Sequence, residues 1–323
     1  MRVLITGVAG FIGFSLAKNL LLSDKKLEIF GIDNFDDYYS KKLKYFRINE
    51  LKKFKKFKFT KLDIIKRKKI LDYFKNKKFT HIVHLAAQAG VRFSEIKPKK
   101  YLDNNIYGFI NIIDGCCLSN KPKVILYASS SSVYGDLNKL PAKEANRLNP
   151  INIYSMSKKI NELTARFSSN YHKINFVGLR YFTVYGEWGR PDMFLFKLFK
   201  AFNEKNFFYL NNSGNHKRDF TYIKDVIEIT KRILFKKRFK KRHLIFNVCS
   251  NNPVQISKIV NFFRKKIGII KIKKIKRNKL DVKNTHGDNK LVRKFTNFNN
   301  FTNYKKGILN SYKWYNNNKI YKF

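Results

Sequence analysis

The spacing of apolar residues divides the chain into two unlike stretches. Up to about residue 182, short apolar runs recur at "RVLIT" (2–6), "LEIFGI" (27–32), "FKFTKL" (57–62), "HIVHLA" (81–86), "VILYAS" (124–129) and "NFVGLR" (175–180). Longer amphipathic segments separate them. This alternation predicts strand-helix-strand units around a parallel sheet. Beyond residue 183 the rhythm weakens to an apolar helix at "MFLFKLFKAF" (193–202), strands at "FFYL" (207–210) and "HLIFNV" (243–248), and a lysine-rich end. Two further segments, "LKKFKKFKF" (51–59) and "IIKIKKIKRNK" (269–279), alternate lysine with apolar residues, as a strand with one face in water does. No internal repeat or long linker separates the two stretches, so the second is expected to pack directly on the first.

Glycine punctuation sharpens the picture. "TGVAGFIG" sets Gly7, Gly10 and Gly13 between the first strand and an apolar helix. Glycine is needed where a chain turns tightly, where backbone approaches a pyrophosphate, and where a helix meets a strand closely. Asp33, twenty residues after Gly13 at the end of the second strand, is where a carboxylate would hold ribose hydroxyls and repel a 2'-phosphate. The expectation is a Rossmann-type doubly wound parallel α/β sheet over 1–182, binding NAD rather than NADP. Segments near 215–248 would return to it, and 183–323 would form a smaller C-terminal substrate-binding lobe. Asp63, ending the third strand, suits an adenine contact or the N-cap of the following helix.

Composition adds less than its extremity suggests. The formal charge is +47, from 69 Lys plus Arg against 22 Asp plus Glu. Such an excess ordinarily points to nucleic acid or an anionic surface. Here it is mostly lysine and travels with Asn, Ile, Phe and Tyr, whose codons are rich in A and T. Codon drift therefore accounts for it without a specific nucleic-acid partner. The rival reading is a nucleic-acid-binding protein on a dinucleotide fold. Three cysteines, Cys116, Cys117 and Cys249, offer no disulfide framework and no metal spacing. With no signal-peptide pattern before the first strand and no apolar run of membrane-spanning length, a cytoplasmic protein without metal or membrane partner is expected.

Two features carry candidate chemistry. "YSMSK" places Tyr154 and Lys158 four apart on one helical face. Tyr38 with Lys42, Tyr73 with Lys77 and Tyr315 with Lys319 share that spacing by chance. Position distinguishes the first pair: its helix follows the fifth strand, at whose carboxyl end a ligand would sit. A phenol is a poor base at neutral pH, and a nearby ammonium and a nicotinamide cation would bring it toward working range. The second feature is the serine run 129–132 at that same strand end. Serine runs are commonly spacers, but this one lies at the strand end that precedes the helix of the tyrosine.

Together "TGVAGFIG", "IDNFDDYY", "HLAAQAGVR", "YASSSSVYG", "YSMSK", "LRYFTVYGEWGRPDM" and "RDFTYIKDV" resemble the extended short-chain dehydrogenase/reductase family, and within it the UDP-glucuronate 4-epimerases. The likeness runs in register to about residue 230. It implies a catalytic set of Ser130, Tyr154 and Lys158. Around NAD it implies Gly7, Gly10, Phe11, Ile12, Gly13, Asp33, Asn34, Asp63, Ala87, Asn104 and Tyr181, with Tyr154 and Lys158. On the UDP-sugar side it implies Arg218 at the diphosphate and Asp281 at the uridine ribose. Ser131, Ser132, Thr183, Arg190 and Arg92 would stand near a uronate carboxylate, with Ser129 setting strand-end geometry. Each of the two arginines, Arg92 and Arg190, serves equally as a surface or diphosphate contact. The implied reaction is NAD-dependent 4-epimerisation of UDP-glucuronate through a 4-keto intermediate. Epimerisation of a neutral UDP-hexose and decarboxylation of UDP-glucuronate are the neighbouring readings. A homodimer built on helices near 100–118 and 154–171 is also implied. Two departures stand out: Asn152 where the family usually has serine, and "KLDV" (279–282) where it usually has "PGDV".

Overall fold

The computed structural model describes residues 1–318 except 76, 120 and 277–279. In chain order its elements are β1 Arg2–Thr6, α1 Phe11–Ser23, β2 Glu28–Asp33, α2 Lys41–Lys52, β3 Phe57–Lys61, α3 Arg67–Lys75 and β4 His81–His84. Next come α4 Val91–Ile96, α5 Pro98–Tyr101, a π-helical turn Leu102–Tyr107, α6 Gly108–Ser119, β5 Val124–Ser130, a 3-10 turn Ser131–Tyr134, α7 Ile153–His172 and β6 Asn175–Tyr181. The remainder comprises β7 Thr183–Tyr185, α8 Phe194–Asn203, β8 Phe208–Asn211, β9 Lys217–Tyr222, α9 Ile223–Leu234, β10 His243–Val248, β11 Pro253–Gln255, α10 Ile256–Lys266, β12 Ile272–Ile275, α11 Lys290–Thr296 and α12 Tyr304–Asn317.

Seven strands form one parallel sheet in the order β10-β6-β5-β4-β1-β2-β3. The apolar runs of the first half form its strands because the sheet is covered on both faces. Alternate residues of β1 show this: Val3 and Ile5 enter one core cluster with Phe14 and Leu20, while Leu4 enters another with Ile82, Ile125 and Phe176. Chain order reverses between β1 and β4, which opens a crevice at the carboxyl ends of the strands. β10 returns from the second half to pair with β6, register His243 to Phe176. Smaller sheets, β11-β9-β7 and β12-β8, carry the other lobe.

Some details differ from the sequence reading. "LKKFKKFKF" is not one strand: Leu51 and Lys52 close α2, and only from Phe57 does the chain extend. In "IIKIKKIKRNK" the strand is confined to Ile272–Ile275, and Arg277, Asn278 and Lys279 lie outside the described residues. Among the described residues no helix is long and apolar enough to cross a membrane.

A buried polar network fixes the carboxyl end of β5. The Ser129 hydroxyl donates to Glu162 Oε1 at 2.6 Å, and Glu162 grips Arg180 through Nε at 2.8 Å and Nη2 at 2.7 Å. Arg180 Nη1 donates to the Tyr134 hydroxyl at 2.7 Å, which donates to Asn247 Oδ1 at 2.7 Å. Ser129 thus sets strand-end geometry. Both charges of the pair are buried, with side chains 3% and 5% exposed, so removing one strands the other. Glu162→Ala is expected to lower unfolding free energy by about 3–5 kcal/mol, and adding Arg180→Met to recover much of it. Urea denaturation checks this; a loss below about 1 kcal/mol would show the pair to be dispensable.

Candidate active site

The glycine turn is sterically compelled. Gly7 has φ +68° and its N–H donates to the Ile32 carbonyl at 2.8 Å. A Cβ at Gly7 would lie 2.7 Å from the Ala86 nitrogen, and one at Gly13 only 2.3 Å from the Gly7 oxygen. Gly10 caps α1 without a side chain. The first-turn N–H groups of α1 therefore keep their donors for an anion, and the bare backbone leaves it room. A cradle that any Cβ would fill fits the pyrophosphate of NAD.

The cavity over this turn is lined by Gly7, Gly10, Phe11, Ile12, Gly13, Asp33, Asn34, Ala87, Asn104, Ser130, Tyr154, Lys158 and Tyr181, all anticipated from sequence. Asp33 ends β2, with Oδ2 accepting from Ala9 N at 3.0 Å and Oδ1 from Phe35 N at 2.9 Å. Burial pushes its carboxyl up, and nearby Lys44, those N–H groups and Arg47 pull it partly back. Tyr181 shares a 3.4 Å hydrogen bond with Thr230 Oγ1, and Asn104 Nδ2 donates to the Lys100 carbonyl at 2.9 Å. Asp63 is placed differently. It accepts from Ile65 N and from Asn34 Nδ2, each at 3.1 Å, while neighbours Leu62 and Ile64 line the cavity. It does not cap α3 either, because that helix begins four residues later at Arg67.

β5 and α7 deliver the candidate catalytic groups. Asn152 caps α7: its Oδ1 accepts from Ser155 N at 2.9 Å while its own N–H donates to Ser155 Oγ at 3.2 Å. The departure from the usual serine thus preserves a capping box. Tyr154, in the first turn, lines the same cavity as Ser130, whose hydroxyl is near enough to act on the phenol. One turn on, Lys158 is buried, its Nζ donating to the Ala128 carbonyl at 2.9 Å and standing 6.0 Å from the Tyr154 ring centre. Burial pushes the Lys158 ammonium down to about 8. Burial also raises the Tyr154 phenol, and the Ser130 hydrogen bond and the Arg190 charge only partly oppose it. The expected lowering calls on the lysine and a nicotinamide cation together, and the lysine does not figure among the groups that act on the phenol.

The serine run divides its work. Ser130 lines the cavity and accepts from both Ser132 N, at 3.2 Å, and Ser132 Oγ, at 2.9 Å. Ser131 and Ser132 open the 3-10 turn, which carries the chain away from the strand end, so neither lines the two main cavities. Ser132 acts on Ser130 instead of facing a ligand.

A second cleft of about 930 Å³ adjoins the first and brings together Arg92, Thr183, Arg218 and Asp281. Arg92 Nη2 pairs with Asp281 Oδ2 at 2.7 Å across the chain fold. Arg218 donates to the Lys283 carbonyl at 2.9 Å and to Val282 at 2.8 Å, holding the loop whose sequence lost its proline and glycine. Arg190 lines the first cavity, but its Nε and Nη2 already grip Asp192 at 2.9 and 2.5 Å, so that edge is not open to a carboxylate. Tyr38 was absent from the expected set, yet it lines both cavities and donates to Asp192 at 3.3 Å. Tyr101 was missed too; it meets Tyr154 edge-on at 6.2 Å and donates to the Gly90 carbonyl at 2.7 Å.

A glycine turn opening a helix, a carboxylate at the end of the next strand and a Ser-Tyr-Lys set at one crevice are the arrangement of a short-chain-type nicotinamide enzyme. Comparison makes this specific. The pattern of the NAD dependent epimerase/dehydratase family matches residues 3–249, and the chain belongs to that family. It is 38% identical to an uncharacterized protein of Methanocaldococcus jannaschii over 98% of this chain and 97% of that one. It is 34% identical to the UDP-glucuronate 4-epimerase of Thermodesulfobacterium geofontis, covering 96% and 95%. The crystal structure of UDP-glucuronic acid 4-epimerase from Bacillus cereus, in complex with UDP-glucuronic acid and NAD, superimposes with TM-score 0.90 at 28% identity, over 98% of this chain and 99% of that one.

Gly13→Ala is expected to yield a folded protein that purifies without nicotinamide cofactor, because its methyl would collide with the turn. Cofactor released by heat and measured by absorbance checks this; wild-type content in the variant would contradict it.

Proposed function

We propose that the chain is an NAD-dependent 4-epimerase interconverting UDP-glucuronate and UDP-galacturonate. The observation that carries this is the convergence of Ser130, Tyr154 and Lys158 on the glycine-turn cavity, which Arg190 also lines and which shares Tyr38 with the adjoining cleft. The likeness to relatives of that activity supports it.

Gly7, Gly10 and Gly13 hold the pyrophosphate of NAD, Asp33 an adenosine ribose, and Lys158 the nicotinamide ribose. Bound NAD accepts hydride from sugar carbon 4 and returns it to the opposite face. Tyr154, as phenolate, takes the proton of the sugar 4-hydroxyl and later restores it to the 4-oxygen. The Ser130 hydroxyl donates to that oxygen, its orientation set by the two donors from Ser132. Arg218 and Asp281 anchor UDP in the second cleft, which is large enough for the keto sugar to turn over. The 4-keto uronate is a β-keto acid that loses carbon dioxide when its carboxylate stands perpendicular to the carbonyl. Thr183 and the Arg190 charge restrain that carboxylate, Arg190 without offering its full fork.

In this reading residues 1–182 with the returning β10 form the cofactor half, and 183–323 chiefly the UDP-sugar half. The free thiols suit a reducing cytoplasm. On α7, Leu163, Phe167 and Tyr171 form an exposed stripe at i, i+4 and i+8, and nearby Tyr107 and Leu118 are exposed as well. We assign this apolar face to a homodimer contact.

Tyr154→Phe and Ser130→Ala are each expected to lower turnover about a hundredfold or more. Near-normal turnover of the tyrosine variant, followed by chromatography of the UDP-sugars, would defeat the mechanism. Phe167→Glu is expected to sediment as a monomer where the wild type sediments at twice that mass; a monomeric wild type would rule out the dimer.

A further inference from the structure

Arg47 is the most unusual charged residue outside the cavities. It sits on α2 with 0% of its surface exposed, and it lines neither cavity. Its Nη1 donates to the Ala9 carbonyl and to the Tyr39 hydroxyl, each at 2.9 Å. Its Nη2 donates to the Gly189 carbonyl at 3.2 Å and to that of Trp188. One end of the guanidinium thus holds the glycine turn, whose Ala9 also bonds Asp33, and the other holds the loop that carries Arg190 and Asp192. Among the described residues Arg47 makes no ion pair; Asp33 acts on it only through space. Burying a guanidinium against three carbonyls and one hydroxyl, with its Nε left unpartnered, is a costly way to fill space that a leucine would fill without penalty. Its use here indicates a geometric demand.

The loop it holds is constrained on every side. Trp188 adopts φ +63°, packed on Phe14 at 4.5 Å and Trp314 at 4.9 Å. A Cβ at Gly189 would strike the Phe196 ring at 2.2 Å. The next residue, Arg190, is half-buried over the Tyr38 ring at 5.3 Å, its fork on Asp192, to which Tyr38 also donates. Tyr38, Tyr39 and Arg47 come from the cofactor half, whereas Trp188 to Asp192 come from the other lobe. The position of Arg190 relative to Tyr154 is therefore set through the Trp188 and Gly189 carbonyls.

We infer that Arg47 is a positioning residue that ties the cofactor turn to the 188–192 loop and thereby fixes the Arg190 charge at the sugar site. This rests on the UDP-glucuronate reading for its ligand, but its geometry does not. A lysine keeps the charge at a single point and cannot span the two sides that the two guanidinium nitrogens join.

The test uses the NAD-loaded protein and Arg47→Lys, with Tyr39→Phe as a milder variant that removes one bond to the same guanidinium. Trp188 emission is read in a Trp314→Phe background, and affinities for UDP-glucuronate and for UDP are measured by calorimetry. The expected result is a red-shifted Trp188 emission and about tenfold weaker UDP-glucuronate binding, with UDP affinity changed less than twofold; Tyr39→Phe should move the same readouts less. An unchanged emission, or equal losses for UDP and UDP-glucuronate, would overturn the inference, since the first denies the tether and the second makes Arg47 a general brace. A wild type that binds UDP-glucuronate but does not convert it would defeat the proposed function, while the emission and the two affinities still decide the role of Arg47.

Discussion

The active-site geometry depends on how one helix is seated against one strand end. Lys158 donates to the carbonyl of Ala128, and Tyr154 one turn earlier stands beside Ser130 at the same cavity. Those two contacts fix α7 in rotation and in height against β5. The Glu162–Arg180 pair holds Ser129 of the same strand, so the neighbouring Ser130, the candidate catalytic serine, follows a strand end that is itself anchored. Burial that makes the seat rigid also raises the phenol and lowers the ammonium.

The second organising constraint is the close approach at the glycine turn. Gly13 packs so tightly on Gly7 that no other residue fits, and the empty space above is what a pyrophosphate occupies. Arg47 extends this constraint outward, binding the turn through Ala9 and the opposite lobe through Trp188 and Gly189. Cofactor turn and sugar-side arginine belong to one packed unit.

Much of this was legible in the sequence because it rests on local rules. The apolar runs gave all six strands of the first half, though β4 stops at His84 rather than Ala86 and β3 begins only after a helix end that shares its lysine pattern. The glycine spacing, Asp33 and the Tyr154–Lys158 interval are local as well. What escaped depends on distant partners. The sequence does not say whether the Arg190 fork faces a ligand or Asp192 two residues on, nor that Tyr38, 152 residues earlier, donates to the same carboxylate. Arg47 looked like one more cation in a very basic chain. The resemblance places Ser131 and Ser132 near a carboxylate, but the 3-10 turn leaves both outside the lining of the two cavities. Asp63 likewise turned toward Asn34 instead of the cavity.

The central claim is that this site inverts carbon 4 of a uronate without losing its carboxylate. The most direct measurement is proton NMR of UDP-glucuronate incubated with the purified protein and no added cofactor. Appearance of UDP-galacturonate with no UDP-pentose is the predicted result. Accumulation of UDP-pentose, or an unchanged spectrum even after NAD is supplied, would contradict it.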